Sequence, residues 1–236
     1  MGIFRTSLVL LVTLAPAAGA GADPIALAIT SSTLYENTID TGATTGFGGP
    51  NQNILIDDVL VPAARNPLNQ PLAITSVTVL VSGTSADDVL SLWSYPVQAD
   101  GSPGLDRALV ATAQVTFDTF FKQVTFGGGS TPLFTITPDF TDEPGFGLFY
   151  IGLGSSELAG WQWADGPDAN RATAFNHNLD VNTIFLNTSP GPPFPSHRSQ
   201  FVEIHGSPIP EPATLTLLTA GLLVGFAKSR SRKRPT

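Results

Sequence analysis

The sequence predicts an all-β fold: a single antiparallel β-sandwich of jelly-roll type, carried between two terminal addressing segments. Three observations predict it. The 23 Gly and 20 Pro of the 236 residues are spread between short runs rich in β-branched residues, which suits strands joined by turns. Several of those runs alternate apolar and polar residues with a period of two, and no stretch between the two ends sustains a period of 3.6. One domain accommodates this length, because all-β domains of about 200 residues are ordinary.

The N-terminal address comes first. Arg5 forms a basic start, Leu8 to Leu14 an apolar middle, and Ala15 to Ala22 a run of small residues, the grammar of a secretory signal peptide over residues 1–22. Cleavage after Ala20 and cleavage after Ala22 both satisfy the small-x-small rule. A lasting anchor would need about 20 apolar residues, which Pro16 and the glycines interrupt. Export is therefore expected.

Residues 23–207 are expected to form the sandwich. Ile25 to Tyr35 is the first strand, and Asn53 to Val61 follows a Gly-rich loop from Gly42 to Pro50. Leu72 to Ser82 places Val77, Val79 and Val81 on one face, and Asp88 to Tyr95 does the same for Leu90 and Leu92. Ala108 to Phe117 and Phe120 to Phe126 make a pair, with the stem of Lys122 lying along the face of Val124 and Phe126. Leu133 to Thr137 is short and bounded by prolines. Phe146 to Leu153 is almost continuously apolar and reads as a central strand buried on both faces. Trp161 to Ala164, Ala172 to Phe175, Val181 to Leu186 and Gln200 to His205 complete the set, with a Pro-rich loop from Ser189 to Pro195.

The C-terminus, residues 208–236, has three parts in order: Pro210-Glu211-Pro212, an uncharged apolar run from Ala213 to Ala227, and a basic tail of Lys228, Arg230, Arg232, Lys233 and Arg234. As a helix rising about 1.5 Å per residue, the run is somewhat short for a bilayer core of about 30 Å, so its flanks must snorkel. The positive charges behind it hold that end in the cytoplasm and leave the preceding domain outside. These residues resemble the PEP-CTERM sorting signal. The resemblance implies a transient inner-membrane anchor and recognition by an exosortase, a membrane protease-transpeptidase that removes the helix. It also implies display at the cell surface or in the extracellular matrix of a Gram-negative bacterium, in a setting of exopolysaccharide and biofilm. The simpler alternative is a single-span anchor that is never cut. The domain itself is similar to the choice-of-anchor R type through Leu90-Ser91-Leu92-Trp93-Ser94, Gly101-Ser102-Pro103-Gly104 and Gly160-Trp161-Gln162-Trp163. That likeness implies a location and no reaction.

Charge and chemistry narrow the functions. The net charge is −8, and between residues 23 and 207 only Arg65, Arg107, Lys122, Arg171 and Arg198 oppose all of the 19 carboxylates except Glu211. Such a surface repels phosphate backbones, so nucleic acid is not an expected partner. With no cysteine there is no disulfide, thiolate metal site or Cys nucleophile. His177, His197 and His205 match no close-spaced zinc pattern, and no Gly-x-Ser-x-Gly elbow accompanies them. Gly127-Gly128-Gly129-Ser130 lacks the Lys and the helix of a phosphate loop and reads as a turn. The acidic groups Asp57-Asp58, Asp87-Asp88, Asp139 with Asp142 and Glu143, and Asp165 with Asp168 read as solvated turn carboxylates. No cofactor is expected beyond a structural calcium, for which Asp165 and Asp168 are the first place to look. Trp161 and Trp163 share a strand face and read either as core aromatics or as an apolar platform for sugar rings.

The expectation is thus an exported, non-enzymatic surface or matrix protein associated with exopolysaccharide. A secreted carbohydrate-binding module is the alternative, and a glycan-acting enzyme using carboxylates such as Asp165 and Glu203 is a third reading.

Overall fold

The computed structural model describes residues 31–49, 53–83, 87–117, 121–141, 145–164, 175–186 and 199–210. In chain order the strands are β1 (Ser32–Asn37), β2 (Asp40–Gly48), β3 (Ile54–Pro62), β4 (Leu72–Gly83), β5 (Asp88–Tyr95), β6 (Ala108–Val115) and β7 (Lys122–Gly127). They continue with β8 (Phe134–Ile136), β9 (Phe146–Ser155), β10 (Leu158–Ala164), β11 (Phe175–Asn178), β12 (Thr183–Leu186), β13 (Ser199–Gln200) and β14 (Val202–Pro208). A single 3-10 turn, Ala63–Arg65, is the only helical element among the described residues.

Two antiparallel sheets form the β-sandwich that the strand pattern predicts. One runs β1-β14-β4-β10-β13, with β2 added to β10 and β7 and β8 added to β4; the other runs β12-β11-β3-β9-β5-β6. One apolar cluster joins them, with Leu55, Val59, Leu92, Phe149, Ile151 and Leu153 from the second sheet and Val77, Val79, Val81, Trp161 and Ile204 from the first. Burying a side chain of this kind contributes about 1.5–3 kcal/mol relative to exposure, so this cluster carries the domain in the absence of disulfides. The apolar run Phe146 to Leu153 is indeed the central strand: β9 lies between β3 and β5 and is buried over both faces. In β4 the pairing with β14 shifts register beside His205, so that Leu72 and Ile74 before the irregularity and Val77, Val79 and Val81 after it are all fully buried.

Three sequence expectations are corrected. The Gly-rich loop from Gly42 to Pro50 is largely a strand: β2 pairs with β10 from Asp40 to Gly48. Its turn sits at Gly48, whose φ is +76° and whose missing Cβ would lie 2.4 Å from the Glu157 carbonyl oxygen, so glycine is a steric requirement there. The segments around Ala108 and Phe126 do not pair. β6 pairs with β5 and β7 with β4, because the connection crosses from one sheet to the other, and Lys122 Nζ donates to the Thr116 carbonyl at 2.6 Å across that crossover. Three of the acidic residues are not solvated turn carboxylates, although Asp87 is exposed in the bend before β5 as expected. Asp57 and Asp58 lie in β3 with 0% and 6% exposure, and Asp88 at the start of β5 retains 2%.

Candidate functional site

Among the described residues, polar chemistry is found at the exit of the chain toward its C-terminus, at a buried node where the first sheet divides, and in a cleft over the outer side of the second sheet.

The exit is built by β14, which runs to Pro208 between β1 and β4. Ile209 N–H donates to the Pro71 carbonyl at 2.7 Å, so the chain stays fastened to the sandwich up to Pro210. Glu211, Pro212, Lys228, Arg230, Arg232, Lys233 and Arg234 lie outside the described residues, as does the apolar run. Among the described residues no helix is long and apolar enough to cross a membrane.

At the node β10 leaves β4 and takes up β13, and four polar side chains with no exposed surface gather there: Asn37, Asp57, Gln162 and Gln200. Gln200 N–H donates to Asp57 Oδ2 at 3.0 Å, and Asn37 Nδ2 donates to the Gln200 carbonyl at 3.1 Å. The Gln200 amide is oriented with its nitrogen donating to the Trp161 and Gln162 carbonyls, at 3.1 and 3.2 Å. Trp161 Nε1 donates to the Phe201 carbonyl at 2.9 Å. These bonds satisfy backbone groups that the division of the sheet would otherwise leave unpaired.

The sugar-platform reading of Trp161 and Trp163 is corrected by this geometry. Trp161 has no exposed surface and points into the core, while Trp163 is half-buried with its Nε1 donating to Thr45 Oγ1. No pair of open rings is presented.

The acidic groups are structural where they are described. Asp88 accepts from the hydroxyls of Ser155 and Ser156 and from Glu157 N–H, fastening the β9–β10 turn to β5. Asp139 accepts from Thr141 N–H and Oγ1, which holds its carboxyl below the usual range. Among the described residues no group of three or more His, Asp or Glu side chains is placed to hold a metal, and Asp165 and Asp168 lie outside them.

The cleft lies between the β5–β6 loop and the β11–β12 hairpin and has a volume of about 360 Å³. The loop is stiff: Val97 bridges Pro103, Gly104 N–H donates to the Pro96 carbonyl at 2.8 Å, and Asp100 accepts from Ser102 N–H and Oγ at 3.0 and 2.6 Å. Those bonds from Ser102 also lower the Asp100 pKa. Behind the cleft runs a chain of bonds that is buried at Tyr95 and His177 and reaches the surface at Asn182. Tyr95 OH lies 3.1 Å from His177 Nδ1, and His177 Nε2 lies 3.1 Å from Asn182 Oδ1, so the neutral imidazole donates through Nε2 to the amide and accepts the phenol proton at Nδ1. Burial lowers the His177 pKa against the raising effect of the Asn182 bond, and burial raises that of Tyr95 against the nearby Arg107. Arg107 itself lies over the Trp93 ring, 5.1 Å from its centroid. Asn182 takes a left-handed φ of 49° at the hairpin turn, a conformation asparagine tolerates better than most residues.

Sequence reasoning did not find this cleft. Tyr95 and His177 are 82 positions apart, and neither belongs to a local motif. The pairing of β5 with β9, β9 with β3 and β3 with β11 is what brings them together. His205, by contrast, meets Glu203 two residues away on the same strand, Nε2 to Oε1 at 2.8 Å.

Residues 208–233 match the family model described as the PEP-CTERM protein-sorting motif. The chain therefore carries that signal, beginning at the last residue of β14; it marks an exported protein sorted to the cell surface through an exosortase-type system. No curated protein is similar to the chain at a significant level. Among solved structures, those of the infectious bursal disease virus Gx and Gt strains share 12% and 13% identity, at TM-scores of 0.30 and 0.33. The matches cover 84% and 83% of this chain and 42% and 43% of the viral chains, so the chain spans under half their length. Likenesses of that size do not reach a shared fold.

Proposed function

We propose that the protein is a non-enzymatic component of the cell surface or extracellular matrix of a Gram-negative bacterium, whose sandwich associates with exopolysaccharide after exosortase processing. One observation carries this reading: the sorting motif follows the last strand without a linker, with Ile209 still bonded to Pro71, so what the exosortase handles is a folded acidic sandwich seated against the membrane. The resemblance of residues 23–207 to choice-of-anchor R domains supports a role in location and not in catalysis. The protein works without a cofactor, and its acidic surface keeps it soluble outside the cell and apart from nucleic acid.

The test has two arms. Replacing Pro210, Glu211 and Pro212 with alanine is expected to leave the chain in the membrane fraction, where the native protein is found at the surface or in the medium; unchanged release counts against sorting by this motif. The native protein is expected to sediment with exopolysaccharide purified from the producing cells, and its persistence in the supernatant counts against the matrix role.

A further inference from the structure

We propose that the cleft between the β5–β6 loop and the β11–β12 hairpin is a binding site for a neutral sugar. This deepens the reading of the domain as an exopolysaccharide-associated module and places the recognition away from the tryptophans.

The lining selects the ligand class. Gln98 contributes an amide that donates and accepts and Asn182 an amide NH2, while the hydroxyls of Ser102 and Thr183, whose protons go to Asp100 Oδ1 and the Val181 carbonyl, present acceptor oxygens, so the cleft offers both kinds of partner that a sugar hydroxyl takes. Pro103, Phe175 and Ile184 supply the apolar surface against which the C–H face of a pyranose packs. Among the described residues no carboxylate, lysine or arginine lines the cleft, which leaves an anionic ligand without a counter-charge. A volume of about 360 Å³ lies at the small end of ligand sites and suits about one or two sugar rings.

The site is also held in shape before any ligand arrives. The Asn182 oxygen is committed to His177 Nε2–H, and the imidazole is in turn fixed by Tyr95, so the Asn182 NH2 is the half of the amide offered to a ligand. Opposite it, Gln98 N–H donates to the Ser102 carbonyl at 2.8 Å and fixes the loop that carries both side chains. A site fixed in advance loses less entropy on binding.

Saturation-transfer NMR on the full chain in detergent, with galactose, N-acetylglucosamine, cellobiose and glucuronate as probes, tests the assignment. Transfer to at least one neutral sugar is expected, with glucuronate weaker. The double variant Gln98→Ala/Thr183→Ala removes two exposed side chains and should weaken binding by about tenfold or more, two hydrogen bonds' worth, with an unchanged far-UV spectrum. Asn182→Asp keeps a residue that tolerates the left-handed backbone, exchanges the donor for a charge, and should weaken binding as well. Transfer to none of the probes, preference for glucuronate, or equal binding by the double variant overturns the site. Sedimentation with exopolysaccharide separates this from the broader reading: a double variant that still sediments removes the cleft and keeps the matrix association, whereas a native protein that binds neither sugar nor polymer removes both.

Discussion

Gln200 donates its backbone N–H to Asp57 Oδ2 at 3.0 Å, a bond that ties β13, the short strand just before β14, across the sandwich to β3 of the opposite sheet. Both residues have no exposed surface. Asp57→Ala is therefore expected to cost about 1–3 kcal/mol in urea denaturation, the usual penalty for a buried donor left without its acceptor. Asp57→Asn keeps a carbonyl oxygen for Gln200 and should cost less. Equal stability of native protein and Asp57→Ala would deny the bond any role in holding β13 in place.

The His177 environment predicts a pH dependence with a definite sign. Its folded pKa lies below the ordinary value of about 6.5, chiefly through burial, so below that value the unfolded chain takes up a proton that the folded chain refuses. Stability should fall as pH drops through about 6.5 and on toward the folded value. His177→Gln should lack this component when urea midpoints at pH 7.5 and 5.5 are compared. Since Arg107 also opposes a charged imidazole, Arg107→Gln should move the NMR titration of His177 upward.

The tryptophans divide by burial. Trp161→Ala is expected to cost about 3–5 kcal/mol, the range for emptying a large buried aromatic site, and Trp163→Ala distinctly less because that ring is half-buried. Thermal melts of the two variants check the order, and a reversed order would contradict the placement of β10.

Gly48 should tolerate no side chain. A φ of +76° combined with an approach of 2.4 Å to the Glu157 carbonyl makes Gly48→Ala destabilising by about 1–3 kcal/mol, readable as a lowered denaturation midpoint. A neutral Gly48→Ala would mean that the β2 turn is open.

The sheet content was legible wherever burial imposes a pattern along the chain. Phe146 to Leu153 announces a strand covered on both faces, and Asp88 to Tyr95 has the same bounds in sequence and structure. Elsewhere local rules point the wrong way. Asp40–Gly48 is so rich in Gly and Thr that it reads as a loop, yet β10 supplies it a full ladder of partners. Asp57-Asp58 reads as a turn, because a paired acid is rarely buried, and the distant Gln200 backbone N–H that helps to make Asp57 at home is not visible along the chain. The sorting motif over residues 208–233 was legible, since it is recognised from order and charge along one dimension. The Tyr95, His177 and Asn182 chain was not, since it exists only once four strands stand side by side.

The antiparallel pairing of Ser32 with Gly206 joins positions 174 apart. A polypeptide that is threaded outward N-terminus first must therefore hold β1 unpaired on its β14 side until almost everything before the sorting motif has crossed. Closure of the β1–β14 edge cannot precede the crossing of Gly206, which lies only a few residues before Pro210-Glu211-Pro212. The earliest moment at which that edge can close thus comes only a few residues ahead of the sorting signal.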